Sequence, residues 1–208
     1  MNSTTIRRRR TLLVWSRDFA ESPTAPWLCF LWGFLEGFAW SIIPEFVLVP
    51  LAFVAPRRAR VLVRSTLAGS VCGGLVAYIL SLTFAGPLLL ERAWLVTDPM
   101  RDSAATWLEQ SGALGLIHQP FSGVPYKVFG LQAGPNMDPF SFVVVSAVVR
   151  GGRMAVAVLV AAAVGWTLGR FERALEIALP TLMVLYDLVF TVGLMVVLLL
   201  WTDWSSVL

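Results

Sequence analysis

Residues 65–90 read STLAGSVCGGLVAYILSLTFAGPLLL, twenty-six positions without one charge. A helix needs about 20 apolar residues to cross a bilayer's hydrocarbon core, so this stretch is long enough to span. Four more apolar blocks flank it. Ser22–Pro56 has only Glu36 and Glu45 as charges, and Ser111–Met137 has His118 and Lys127 as its titratable groups. Pro139–Gly169 has Arg150 and Arg153, and Ile177–Thr202 has Asp187 alone. Across the 208 residues, 57% are hydrophobic and 14% charged. A soluble domain holds roughly 45–50% apolar and about 25% charged residues, and the mean hydropathy of +0.75 points the same way. Composition excludes a cytosolic enzyme, a disordered chain and a disulfide-stapled secreted module. The expected fold class is an all-α integral membrane protein.

Five apolar blocks do not have to mean five spans. Pro44 and Pro50 interrupt the first block, and Pro120 and Pro125 the third. Each would cost about 3 kcal/mol inside a helix, and broken backbone at membrane depth is tolerated only where it is buried in protein or lines a watery cavity. Both blocks therefore read as re-entrant helical hairpins. Arginine placement agrees: with five spans, nine loop cations lie inside and four outside, whereas two hairpins give eleven inside and two outside. The expected organisation is a cytoplasmic basic arm over 1–21 and one membrane domain over 22–208. That domain divides into a re-entrant segment 22–56, a span 65–86, an outer interfacial segment 87–112, a second re-entrant segment 113–137, and spans 139–169 and 180–202. The arm carries Arg7–Arg10 and then Leu12, Leu13, Trp15 and Phe19. It reads either as an amphipathic surface anchor or as a plain positive-inside signal, and it lacks the 7–15 uninterrupted apolar residues of a signal peptide. The expected location is the inner (cell) membrane with a cytoplasmic N-terminus.

The net charge is +3, with 16 basic against 13 acidic residues. Its arginines lie beside apolar segments, which favours anionic lipid headgroups over nucleic acid as partners. Cys29 and Cys72 sit in apolar stretches and form no metal-binding pattern. No cofactor, no metal and no catalytic constellation is expected, and hence no enzyme. Gly69-x-x-x-Gly73 has helix-packing spacing, with dimerisation as one reading. Association into a homo-oligomer or a larger membrane complex is compatible with the sequence.

The two halves echo each other. Pro44-Glu45-Phe46 precedes Arg60, Arg64 and a small-residue span containing Gly69, Gly73 and Gly74; Pro125-Tyr126-Lys127 precedes Arg150, Arg153 and a span containing Ala161–Ala163 and Gly165. Two hairpins entering from opposite sides make an inverted repeat, with a site where the broken helices meet. The stretch Phe121-Ser-Gly-Val-Pro-Tyr-Lys-Val-Phe-Gly-Leu-Gln-Ala-Gly134, with Phe140, Arg150 and Arg153 downstream and Glu36 and Ile43-Pro44-Glu45 upstream, resembles the DedA family of the VTT, or SNARE-associated, superfamily. The resemblance covers roughly Trp27–Gly169. One basic residue, Lys127, stands where many members carry two arginines around the proline, and Pro44-Glu45 replaces a Pro-Gly-Asp run, so the chain resembles a divergent member. The resemblance implies a lipid translocase or scramblase, moving an anionic phosphate lipid such as a polyprenyl phosphate or a phospholipid between leaflets.

Ionisable groups at membrane depth are costly and default to functional roles. Lys127, Arg150 and Arg153 are the expected headgroup-binding residues, with snorkelling as the alternative for Lys127 and structural pairing for the arginines. Glu36 and Glu45 are the expected proton- or charge-coupling residues. Three cations against two carboxylates leave a positive surplus to recruit phosphate. Asp187 reads as an inter-helix hydrogen-bonding residue and His118 as interfacial. Two rival functions stay open: a structural or accessory subunit whose buried charges only lock helices, and a proton-coupled small-solute transporter.

Overall fold

The computed structural model describes residues 12–202; Arg7–Arg10 of the expected arm lie outside that range. The described residues are helical, with no strand. In order they form α1 (Leu12–Glu21), α2 (Thr24–Phe38), α3 (Glu45–Val54), α4 (Ala59–Ser81), α5 (Ala85–Glu91), α6 (Asp98–Ser111), α7 (Gln119–Ser122), α8 (Tyr126–Ala133), α9 (Pro139–Leu168) and α10 (Glu172–Trp201), with 3-10 turns at Pro56–Arg58 and Gly112–His118. Among them, α4 with its leading turn (Pro56–Ser81), α9 and α10 are long and apolar enough to cross a membrane. At 1.5 Å per residue the two 30-residue helices are each about 45 Å long.

Two of these helices begin before the apolar runs that mark them in sequence. The first starts among Arg57, Arg58, Arg60 and Arg64. The last starts at Glu172 and carries Pro180 inside it. An apolar run marks the stretch that crosses lipid, whereas backbone hydrogen bonding continues past it. α9 has a defined start: the Asp138 side chain accepts from the Ser141 N–H at 2.9 Å, with Pro139 in the first position.

Small residues set the packing. A Cβ added at Gly69 or Gly73 of α4 would lie 2.0 or 2.1 Å from the Phe30 or Phe34 carbonyl oxygen of α2; one added at Gly33 would lie 2.3 Å from the Thr66 carbonyl oxygen. Residue numbers rise together along both helices, so α2 and α4 run parallel. The Gly69-x-x-x-Gly73 spacing is thus occupied within the chain, by α2. The same reasoning makes α8 parallel to α4, with Tyr126 against Gly74 and Gly134 against Ser81, and α3 parallel to α9, with Gly165 against the Phe53 carbonyl. The ends of the α2–α3 pair also meet, because Arg58 Nη2 donates to the Ser22 carbonyl at 3.2 Å.

One core joins α1, α3, α4, α9 and the start of α10 around Leu13, Leu48, Phe53, Leu62, Met154 and Leu175. The other joins α4, α6, α8 and α9 around Tyr78, Met100, Leu108, Phe129 and Phe142. Leu13 of the arm turns into the first core, while Leu12 and Trp15 are exposed. Only Leu175 and Leu179 of α10 are buried, leaving an apolar helix surface of the kind lipid tails solvate.

Candidate functional site

Two interruptions of regular helix build the site. Between α2 and α3 the chain is irregular over residues 40–43, and Pro44 starts the second helix. Between α7 and α8 it passes through Gly123, at φ 76°, and Pro125. A Cβ at Gly123 would occupy the disfavoured left-handed region and approach Val197 of α10 to 2.7 Å. Tyr126, the first residue of α8, and Gly37, at the end of α2, both abut Gly74 of α4. Both breaks therefore lie at one depth.

The intramembrane charges gather there. Glu36, in the last turn of α2, pairs with Arg150 of α9, and Ser70 of α4 donates to the same carboxylate oxygen at 3.3 Å. The Arg150 guanidinium lies 4.1 Å from the Tyr126 ring centroid, a cation–π contact. Tyr126 in turn donates its hydroxyl to Ser146 Oγ at 2.7 Å. One turn further along α9, Arg153 meets Glu45 through Nε at 3.0 Å and Nη2 at 3.2 Å. Arg150 and Arg153 stand roughly 16 and 21 Å from the Pro139 end, deep in a helix of spanning length. Lys127 takes neither carboxylate. Its Nζ donates to the Ala39 carbonyl at the end of α2 (3.2 Å) and to the Trp94 carbonyl (3.1 Å). Positive charge at a helix C-terminus is favourable.

All five expected site residues thus lie around the two breaks, as two ion pairs and one carbonyl-bound lysine. Arg150, Lys127, Glu36 and Glu45 are buried, whereas the Arg153 side chain is 25% exposed. Arg153 is the cation that reaches open space. It lines a cavity of about 360 Å³ together with Glu36, Gln119 and Tyr126, whose remaining wall is largely apolar and includes Phe190, Leu194 and Val197 of α10. It also lines a groove of about 590 Å³ between the Pro120–Phe121 turn and α9. Arg150 Nε and Nη1 and Gln119 Oε1 are buried without a hydrogen-bond partner.

Several residues of this site carry little sequence signal. Tyr126 stands between Pro125 and Lys127, and its aromatic face beneath Arg150 could be sought on that ground. Gln119 is a polar residue in an apolar block. Trp94 contributes only a carbonyl, also bonded by Ser41, and Leu95 beside it has φ 58°, a strained value for a residue with a Cβ. The Asp187 side chain is exposed and makes no hydrogen bond to another described residue, so the expected inter-helix bond is absent among them. His118 is exposed and stacks on Trp107 at 4.6 Å. No group of three or more potential metal ligands occurs among the described residues.

An uncharacterized protein of Haemophilus influenzae (strain ATCC 51907 / DSM 11121 / KW20 / Rd) is 31% identical over 153 residues, covering 72% of this chain and 77% of the relative. The chain belongs to that protein's family. No family model matches the sequence, and no solved structure matches it. The relative's span is long enough to take in most of the membrane domain, not a single motif.

Proposed function

We propose that this chain is a DedA-like lipid translocase that moves an anionic phosphate lipid between leaflets of the inner membrane, without enzymatic chemistry. In this reading α2–α3 and the 112–134 segment are re-entrant hairpins from opposite faces, related as an inverted repeat, with the N-terminus cytoplasmic. The observation that carries it is the meeting of both helix breaks and both ion pairs at one depth, beside a cavity walled by apolar residues of α10. Moving a lipid requires that combination: polar shelter for a headgroup, with tails left in the bilayer. Reciprocal packing supports the repeat, since α3 lies along α9 and α8 lies along α4, each parallel to the long helix of the other half. The Ser22–Arg58 bond supports the first hairpin by holding its two ends on one face.

Purified protein in liposomes holding a fluorescent phosphatidylglycerol tests this. An impermeant quencher should remove the whole signal with the native chain and about half without protein. Arg153→Gln, at a partly exposed position, should lose exchange yet fold. Native protein that leaves the inner-leaflet signal unquenched would overturn the proposal. The second reading, a structural subunit of a larger membrane complex, is favoured by the pairing of both carboxylates and the satisfied Lys127. It predicts absent exchange in every variant.

A further inference from the structure

At the other end of α9 lies a second polar cavity, of about 440 Å³, whose lining includes Arg17, Glu21, Arg57, Arg58, Trp166 and Arg170. Gly165 and Arg153 are twelve residues apart, so this cavity is roughly 18 Å along the helix from the charges described above. Three elements bring the arginines together: α1, the turn after α3, and the segment just beyond the end of α9. Among the described lining residues, four guanidinium groups face one carboxylate. None of the four lies within ion-pair distance of a carboxylate among the described residues. Arg58 is fixed by its bond to the Ser22 carbonyl, and its Nε is buried without a partner. Arg170 rests over the Trp166 ring at 5.3 Å, which leaves its N–H edges open.

Clustered guanidinium groups repel one another unless an anion joins them, and their planar forks match phosphate oxygens. The cavity sits at the end of a helix of spanning length, beside an exposed tryptophan, where headgroups and interfacial aromatics meet. We propose that it binds the phosphate of an anionic lipid headgroup, as a site separate from the intramembrane ion pairs. The proposal does not depend on lipid translocation. A lipid held here anchors α1 and the α3–α4 turn to the end of α9.

Native mass spectrometry on the full chain in detergent tests this, using phosphatidylglycerol, phosphatidylcholine and inorganic phosphate as probes. The native protein should retain phosphatidylglycerol in preference to phosphatidylcholine, and millimolar inorganic phosphate should not displace it. Arg57→Gln with Arg170→Gln removes two exposed cavity arginines and their direct charge-assisted contacts to the phosphate, and should weaken retention at least about tenfold. Arg60→Gln with Arg64→Gln removes two exposed arginines outside the lining and should change it little. Equal losses in the two double variants would reduce the effect to general surface charge and overturn the site. Retention unchanged in the first variant would also overturn it. Displacement by inorganic phosphate would assign the site to a soluble anion and overturn the lipid.

Discussion

Replacing Glu36 with Gln tests the central ion pair most sharply. Glu36 is 4% exposed and Arg150 is 1% exposed. The substitution keeps the side chain's shape and removes the carboxylate that, among the described residues, pairs with Arg150. What then stabilises the guanidinium is the Tyr126 ring, a contact worth about 0.5–2 kcal/mol. Breaking a buried pair costs about 3–5 kcal/mol, a large share of the 5–15 kcal/mol that typically separates folded from unfolded protein. The reciprocal change, Arg150→Met, should cost less. A carboxylate left alone neutralises itself by taking a proton, whereas a guanidinium cannot lose one. Replacing both partners, as Glu36→Gln with Arg150→Met, removes the uncompensated charge and should recover at least about 2 kcal/mol relative to the sum of the single effects. Equilibrium unfolding in mixed detergent micelles, followed by tryptophan fluorescence, measures all four corners of the cycle. Additive single effects, or a Glu36→Gln variant within about 1 kcal/mol of native, would refute the reasoning.

Other expectations follow from the packing, the topology and one helix cap. Gly73→Leu should prevent α2 from closing on α4 and abolish accumulation of folded protein, while Gly152→Leu, with nothing within 4 Å of an added Cβ, should accumulate normally. The yield of monodisperse protein extracted from the membrane for each variant decides the comparison. Cysteines at Glu21 and Arg57, introduced after replacing Cys29 and Cys72 with Ser, should react with an impermeant maleimide from one side of the membrane. Opposite sidedness would eliminate a returning α2–α3 pair. The hydrogen bonds from Ser141 hold the Asp138 carboxyl below its ordinary value of 3.8. The cap therefore contributes fully above that value and is lost as pH falls through the depressed one. Amide exchange at the start of α9 should accelerate in strong acid, and Asp138→Asn should flatten that dependence.

Much of the helical framework is legible because lipid imposes one strong constraint: spans must be apolar. The charge-free stretch at 65–90 marks α4, and Pro139–Gly169 coincides closely with α9. The beginnings of α4 and α10 are not legible in the same way. Arg57–Arg64 and Glu172–Glu176 are polar yet helical, since hydrogen bonding, unlike hydropathy, does not change at the membrane surface. Proline marks the interruption at Pro44 and at Pro125, but it fails as a stop at Pro50, which lies inside α3 instead of breaking the first block as expected, and likewise at Pro180. There the helix continues, and Thr181 Oγ1 donates to the Ile177 carbonyl beside the lost bond. The glycine spacing at Gly69 and Gly73 reveals a packing face without naming its partner. The answer is in the complementary Gly33 and Gly37 of α2, a short helix whose own sequence reads as one arm of a hairpin.

The charges show why a count can be correct and still mislead. Three cations and two carboxylates lie in the first, third and fourth apolar blocks, so sequence arithmetic there leaves one positive group over and offers it to a ligand. Arginine spacing places Arg150 and Arg153 on one face of α9, and the two carboxylates flank the 40–43 interruption. Their pairing needs only the depth at which that interruption meets α9, a tertiary quantity. Lys127 differs because its acceptors are backbone. One is the Ala39 carbonyl at the frayed end of α2; the other is the Trp94 carbonyl beside the strained Leu95. A carbonyl carries no residue identity, so nothing in the composition announces it. The surplus charge is therefore held by backbone, at the end of α2 that the first interruption creates and at the turn between α5 and α6. That places the strongest case for ligand contact on Arg153, which combines a carboxylate partner with exposure to both the cavity and the groove.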